Sequence, residues 1–96
     1  MEAIAVKFKY RLPEIWIKKI ESMEEFANGA TQVTIRLKNG QEVSGVLVSD
    51  ATYVVAVRGF EDLPFALREI DEVFQSSADK SPNERGGWRY WDDWQV

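Results

Sequence analysis

The sequence predicts a mainly β domain built from short antiparallel strands. Two observations carry this prediction: apolar and polar residues alternate from residue 33 to residue 38, and residues that favour turns separate this segment from the short strand-like segments that follow. At 96 residues the chain has the length of one domain. A domain of this size buries about two thirds of the surface of its unfolded chain, so association with other chains would add stability.

The first predicted element is a strand at the N-terminus. Its apolar positions are Ile4, Val6, Phe8, Tyr10 and Leu12, and the opposite face carries Lys7, Lys9 and Arg11. A basic face of this kind has two interpretations. It can follow the phosphates of a nucleic acid, or its lysines can protect an exposed sheet edge from unwanted pairing.

A helix is predicted to follow. Pro13 suits the first turn of a helix and Glu14 complements the helix dipole there. An apolar stripe with helical spacing then runs to residue 27, and Gly29 is expected to end the helix as a left-handed cap. The stripe consists of Trp16, Ile20, Met23 and Ala27, with Ile17 and Phe26 at its sides.

Three strands are predicted between Val33 and Val57. The first ends at Asn39-Gly40, a dipeptide typical of a type I′ hairpin turn, in which both central residues have positive φ. The second covers residues 42–49 and contains Gly45, which suits a sharp bend or close packing. Asp50 marks a turn into the third strand, residues 53–57.

Two further short strands are predicted at residues 64–68 and 73–75, with a single 3₁₀-like turn between them. Pro64 suits the first residue of a strand.

The order of these elements resembles the Sm-like family. The first signature motif of that family has leucine, glycine, glycine and aspartate where this chain has Leu37, Gly40, Gly45 and Asp50. The resemblance implies a strongly bent, five-stranded SH3-like barrel with an N-terminal α-helix, to which this chain adds the N-terminal strand. It also implies a homo-oligomeric ring, closed by pairing of the fourth strand with the fifth strand of the next subunit, that often binds RNA. Other small SH3-type barrels use similar glycines and are the alternative.

The resemblance also nominates residues for RNA binding. Where the family has a base-stacking residue and an asparagine that reads the base, this chain has Thr52 and Val54, and valine cannot hydrogen-bond a base. The second family motif is matched by Leu67-Arg68, with Glu69 in place of its glycine. The candidate RNA-binding residues are Arg36, Lys38, Tyr53, Arg58 and Arg68, with Tyr53 as the stacking surface or a core residue, and Arg68 as an RNA contact or the partner of a carboxylate such as Asp50.

Charge and composition limit the function. The net charge is −4, with residues 1–40 contributing +2 and residues 41–96 contributing −6, and polyanion binding needs a local basic surface. The chain has no cysteine and no histidine, so we expect neither an enzyme nor a cofactor or metal site. Adjacent acidic pairs such as Asp92-Asp93 are interpreted as solvated surface. No apolar run approaches the length of a membrane span, so a soluble cytoplasmic protein is expected.

The C-terminal part is predicted to lie outside the domain. Residues 1–77 form the predicted Sm-like domain, and residues 78–96 form a polar linker and an aromatic tail. The tail contains Trp88, Tyr90, Trp91 and Trp94, which together can bury several hundred Å². We expect it to dock on its own barrel, on a neighbouring subunit or on another protein.

Two functional hypotheses therefore follow from the sequence. The first is a ring that binds RNA weakly or through a non-standard surface. The second is a ring-shaped scaffold or protein-interaction module that does not bind nucleic acid. Family habit favours the first, and the missing asparagine and the acidic balance favour the second.

Overall fold

The computed structural model describes residues 10–27, 29–60 and 62–80, which form a mainly β domain. The strands are β1 (Tyr10–Arg11), β2 (Ala30–Leu37), β3 (Glu42–Ser49), β4 (Tyr53–Val57) and β5 (Ile70–Phe74). The helices are α1 (Glu14–Ile20), α2 (Ser77–Lys80) and a 3₁₀ helix at Leu67–Glu69. No described helix is long enough and apolar enough to cross a membrane.

The five strands form one antiparallel sheet in the order β1-β4-β3-β2-β5, curled into a half-barrel. The register shifts once in each of the pairs β2–β3, β3–β4 and β2–β5, and such bulges bend the strands that contain them. The predicted mainly β class is confirmed, as are the three strands between residues 33 and 57.

The concave side of the sheet encloses the main core. Its most deeply buried residues are valines and an isoleucine of β2, β3, β4 and β5: Val33, Ile35, Val46, Val48, Val54, Val57 and Val73. Ile17 and Ile20 of α1 and Leu12 close this core on one side. On the convex side Leu47, Val55 and Ala56 pack with Phe26, Ala30 and Tyr53, and we call this group the outer cluster.

α1 is shorter than the apolar stripe predicted. It ends at Ile20, and the hydroxyl of Ser22 donates a hydrogen bond of 2.8 Å to the carbonyl of Lys19. A serine that bonds to the backbone in this way competes with the helix, and the carboxylates that follow it oppose the dipole at the helix C-terminus. Gly29 does have positive φ, but it lies in the tight turn that leads into β2 instead of capping the helix.

The Asn39-Gly40 turn is not the predicted type I′ turn. In the β2–β3 turn Gly40 has a φ of 92° and Asn39 does not have positive φ, so the left-handed residue follows the turn, as in three-residue hairpin loops. The two consecutive left-handed residues that define a type I′ turn are instead Asp50 and Ala51, between β3 and β4, where the Thr52 amide donates to the Ser49 carbonyl at 3.0 Å.

The prediction of a strand at residues 64–68 was wrong. This segment contains a bend and the start of the 3₁₀ helix, and the following strand begins at Ile70 instead of Val73. Leu63, Phe65 and Leu67 nevertheless pack against the main core. Their backbone has no strand partner among the described residues, since β1 pairs with the edge of β4.

Two sequence predictions at the ends of the chain involve residues outside the described ranges. One is the N-terminal strand up to residue 9, with Lys7 and Lys9. The other is the aromatic tail, with Trp88, Tyr90, Trp91 and Trp94. The part of the N-terminal strand that the structure describes is β1, which pairs Tyr10 with Val54 and Arg11 with Tyr53.

The bend of β3 generates a stability prediction. Gly45 has a φ of 68°, and a Cβ at this position would lie 3.0 Å from the Cβ of Arg58. Gly59 has a φ of 90° with open space around it, so Gly59→Ala measures the backbone strain alone. We expect Gly59→Ala to cost about 1 kcal/mol of unfolding free energy and Gly45→Ala about 2 to 3 kcal/mol in urea denaturation, because the second adds a steric clash. Equal costs would show that the close approach to Arg58 is unimportant.

Candidate functional site

Three of the nominated RNA-binding residues lie where β2 ends and β5 begins. The backbone amide of Lys38 donates to the carbonyl of Glu69 at 2.9 Å, which places Lys38 beside the 3₁₀ helix that contains Arg68. Arg36 lies two residues before Lys38, on β2, opposite Glu72 of β5. These three cations therefore share one end of the sheet.

Carboxylates accompany two of these cations. The Nε of Arg36 lies 3.4 Å from Oδ2 of Asp71, and the Nε of Arg68 lies 3.9 Å from Oε2 of Glu69. The Arg68 side chain is 84% exposed. Asp50, suggested from the sequence as its partner, lies instead against Gly29, and no ion pair within the described ranges joins it to Arg68.

The other two nominated residues lie elsewhere. Tyr53 begins β4 and pairs with Ser49, which in turn pairs with Ala30. Ala30 and Arg36 are six residues apart on β2, about 20 Å at the rise of a strand. Tyr53 is half-buried and packs in the outer cluster, in agreement with the interpretation that it is a packing residue.

Arg58 follows β4 and packs over the bend of β3. Its amide donates to the carbonyl of Gly45 at 3.0 Å, and its Cβ and Nε lie over Gly45. The five nominated residues therefore do not form one continuous surface in the described structure.

A different group of residues lines a cleft near the start of β2. Three exposed carboxylates, Glu21, Glu25 and Asp50, stand around a cleft of about 520 Å³. Its floor is formed by Ile20, Met23, Thr31 and Ala51. We call this feature the acidic cleft. The carboxylates come from the segment after α1 and from the β3–β4 turn, which are distant in sequence.

Gly29 brings two of these carboxylates together. Its amide donates to Oε1 of Glu25 at 3.3 Å, and a Cβ on Gly29 would lie 3.0 Å from Oδ1 of Asp50. The amide of Asp50 also donates to the carbonyl of Gly29 at 2.9 Å. Both side chains therefore contact the same glycine, which has room for them because it has no side chain.

The acidic cleft carries no compensating cation within residues 10–27, 29–60 and 62–80. The described ion pairs involve other carboxylates: Glu14, Glu69, Asp71 and Glu72. In the same ranges no group of three or more acidic, histidine or cysteine side chains is arranged to hold a metal ion.

A second polar group, which we call the Asp79 anchor, lies on the convex side of β2. Asp79 is 1% exposed, and its carboxylate accepts hydrogen bonds from Nε2 of Gln32 at 2.7 Å, Oγ1 of Thr34 at 2.9 Å and the amide of Ser76 at 2.8 Å. The amide of Asp79 donates to the hydroxyl of Ser76 at 3.2 Å. Ser76 and Asp79 thus form the reciprocal pair of a capping box around α2.

The Asp79 anchor changes the interpretation of the segment after the domain. Ser76 to Lys80 is folded against the sheet, although the sequence suggested that a polar linker begins there. The Ser-x-x-Asp spacing at residues 76–79 was the signal that could have revealed the anchor, because it is a known start of a helix. Asp79 therefore has a structural role, since its oxygens bind groups of the protein itself.

Comparisons with protein-family models, with curated proteins and with solved structures found no match to this chain. The resemblance to the Sm-like family therefore depends on the residues quoted from the sequence.

The Asp79 anchor generates a second stability prediction. Asp79→Ala leaves Gln32 and Thr34 with buried donors that have lost their acceptor, so we expect a loss of about 3 kcal/mol or more in unfolding free energy. Asp71→Ala is the matched control, because it removes an aspartate of an exposed ion pair and should change the free energy by less than about 1 kcal/mol. Chemical denaturation of both variants measures the difference, and similar values would mean that α2 does not depend on Asp79.

Proposed function

We propose that this protein is a scaffold that assembles with copies of itself into a ring and binds protein partners, without an RNA site of the Sm-like type. The observation that carries the proposal is the arrangement of its charges. Three of the four cations nominated for RNA share one end of the sheet, but two of these three are paired with carboxylates, whereas three carboxylates without a described ion pair stand around one cleft.

The charge balance of the described residues supports this choice. They include eight lysines and arginines and eleven aspartates and glutamates. Binding of a polyanion gains most of its free energy from cations that neutralise phosphates and release counterions. A surface with this balance favours cationic partners over nucleic acid.

The open edge of the sheet supports self-association. β5 pairs with β2 along one side, and no described strand pairs with its other side. An unpaired strand edge is a template for another strand, and pairing with the opposite edge of a neighbouring copy would give a contact that closes into a ring. The bulge near Ile70 leaves Glu72 to Phe74 as the continuous part of this edge. The resemblance placed the contact between subunits on the fourth strand of one subunit and the fifth strand of the next. In the proposed ring, β5 of one copy instead pairs with β1, the opposite edge strand, of the next copy.

The assembly is tested by light scattering at micromolar concentration. We expect a mass that is a multiple of the single chain. Phe74→Lys should lower that mass toward one chain, because a lysine at an edge discourages strand pairing, while the control Phe74→Leu should keep it. A single-chain mass for the native protein would refute the ring.

The lack of an RNA site is tested by fluorescence titration with oligouridine and oligoadenosine at two salt concentrations. We expect weak binding without preference between the two, which falls steeply with salt because any remaining contacts are to phosphates. Tight binding with a preference for uridine at the higher salt would contradict the proposal and would restore the RNA-binding ring.

A further inference from the structure

We propose that the outer cluster, on the convex side of the sheet, is the docking surface for the aromatic tail of the same chain. The occupant is the segment at residues 88–94, which lies outside the described ranges. Three features of the described residues carry the inference: the deep burial of the cluster, a buried acceptor without a partner beside it, and the position at which α2 ends. The inference goes beyond the proposed function, because it concerns a single chain and holds whether or not copies assemble.

The outer cluster is buried on a face that a single sheet would leave open to solvent. Leu47 is 3% exposed, Val55 1% and Ala56 0%. The bulge in the β3–β4 pair places both Val55 and Ala56 on the convex side, whereas Val54 and Val57 on either side of them belong to the main core. An apolar face buried to this extent needs a second layer over it.

The described apolar side chains stand at one end of the cluster. Phe26, Ala30 and Tyr53 pack on it, and all three are themselves only half-buried. Ala30 and Tyr53 both pair with Ser49, so they belong to the row of strand-paired residues next to the row that contains Leu47. The cover of the Leu47 row itself is what the tail supplies.

Gln32 supplies an independent observation. It pairs with Leu47, which pairs with Ala56, so these three residues form one row across the convex side. Gln32 is 7% exposed and its Nε2 donates to Asp79, but its Oε1 has no hydrogen-bond partner among the described residues. A buried carbonyl oxygen normally accepts a hydrogen bond. An indole N–H is a donor without an acceptor, so a tryptophan that covers the apolar part of the row can also donate to this oxygen.

The end of α2 brings the tail to this row. Asp79 contacts Gln32 on the convex side, and Lys80 is the next residue and the last of α2. Trp88 follows Lys80 by eight residues, which span up to about 26 Å when extended. Ala56 lies two strands away from β2, about 10 Å at the usual spacing of strands. The tail therefore starts beside the row and is long enough to lie across it.

The short connection favours the tail of the same chain over that of a neighbouring copy. Residues 81–87 are all that separate α2 from Trp88. A connection of this length gives the tail an effective concentration of about the millimolar range at its own surface, which exceeds that of other chains in a micromolar solution. The tail also has the chemistry that the row needs, since three of its residues 88–94 are tryptophans.

The first test removes the tryptophans from the full chain. The tail-serine variant carries Trp88→Ser, Trp91→Ser and Trp94→Ser, and we expect its melting temperature to fall by about 5 °C or more, because the outer cluster loses its cover. The tail-phenylalanine variant, with phenylalanine at the same three positions, keeps most of the apolar area and lacks the N–H groups. It should melt between the native chain and the tail-serine variant. A tail-serine variant that melts with the native chain would overturn the proposal, and a tail-phenylalanine variant that does so would refute the hydrogen bond to Gln32.

A second pair of variants locates the docking surface. Tyr53→Ser truncates a half-buried side chain of the outer cluster. We expect it to lower the melting temperature of the native chain at least about twofold more than that of the tail-serine variant, because groups in contact are coupled. The matched control is Ile15→Ser, since Ile15 is 65% exposed on α1, which packs on the main core instead. It should lower both melting temperatures by the same amount. Equal effects of Tyr53→Ser in the two chains would refute this surface.

Disulfide trapping identifies which tail occupies the surface. The native chain has no cysteine, so Tyr53→Cys combined with Gln95→Cys provides one possible pair within a chain. We expect oxidation to consume the thiols at single-chain mass, at least about tenfold faster than in the control that combines Glu42→Cys with Gln95→Cys. Glu42 is exposed at the start of β3, five residues before Leu47. A disulfide between two chains would place a neighbour's tail on the surface and refute docking within the chain, and equal rates for the two pairs would refute docking at the outer cluster.

Discussion

The described fold depends on the way β2 is enclosed. This strand pairs with β3 on one side and β5 on the other, and every residue from Thr31 to Ile35 is buried. A strand that is buried on both faces needs apolar contacts on one and satisfied polar groups on the other. Val33 and Ile35 supply the first within the main core, and Asp79 supplies most of the second by accepting from Nε2 of Gln32 and Oγ1 of Thr34, whereas Oε1 of Gln32 has no partner among the described residues.

Hydrogen bonds of Gln75 connect β2 to the segment that follows α1. Gln75, directly after β5, donates to the carbonyls of Gln32 and Glu24, and its own side-chain oxygen accepts from the Glu24 amide at 3.1 Å. The segment after α1 is thereby fixed to β2 and β5, and the same segment carries Glu21 and Glu25 to the rim of the cleft. The cleft is consequently held by the sheet, although its carboxylates lie on connecting segments.

The part of the fold that the sequence predicts well is the part determined by neighbouring residues. Turn residues gave the limits of β3 and β4, because Asn39-Gly40 and Asp50 mark the places where strands end. The type I′ turn lies at Asp50-Ala51 instead of Asn39-Gly40, since the Asn-Gly signal considers two residues while the observed turns also satisfy the register of the strands. Residues 64–68 were misassigned because a short segment with apolar residues can face the core without being a strand, and the local sequence cannot show that β1 pairs with β4 at this edge.

The candidate site was less predictable, for a physical reason. Of the nominated cations only Arg68 came from the resemblance, and neither the resemblance nor the local sequence shows the carboxylates that the fold places beside these cations, such as Asp71 beside Arg36. The acidic cleft joins Glu25 and Asp50, which are 25 residues apart, through their shared contact with Gly29. No local pattern encodes such a contact. The Asp79 anchor differs, since a capping box is a local pattern that the sequence displays.

The acidic cleft also has consequences for stability that bear on its role. Carboxylates that follow the C-terminus of a helix oppose its dipole, and Glu21 and Glu25 stand near Asp50 without a described cation between them. Folding therefore brings like charges together, an arrangement that disfavours the folded state. Because these carboxylates are exposed, salt screens the repulsion between them. The three charges therefore lower the stability of the folded domain more at low ionic strength than at high ionic strength.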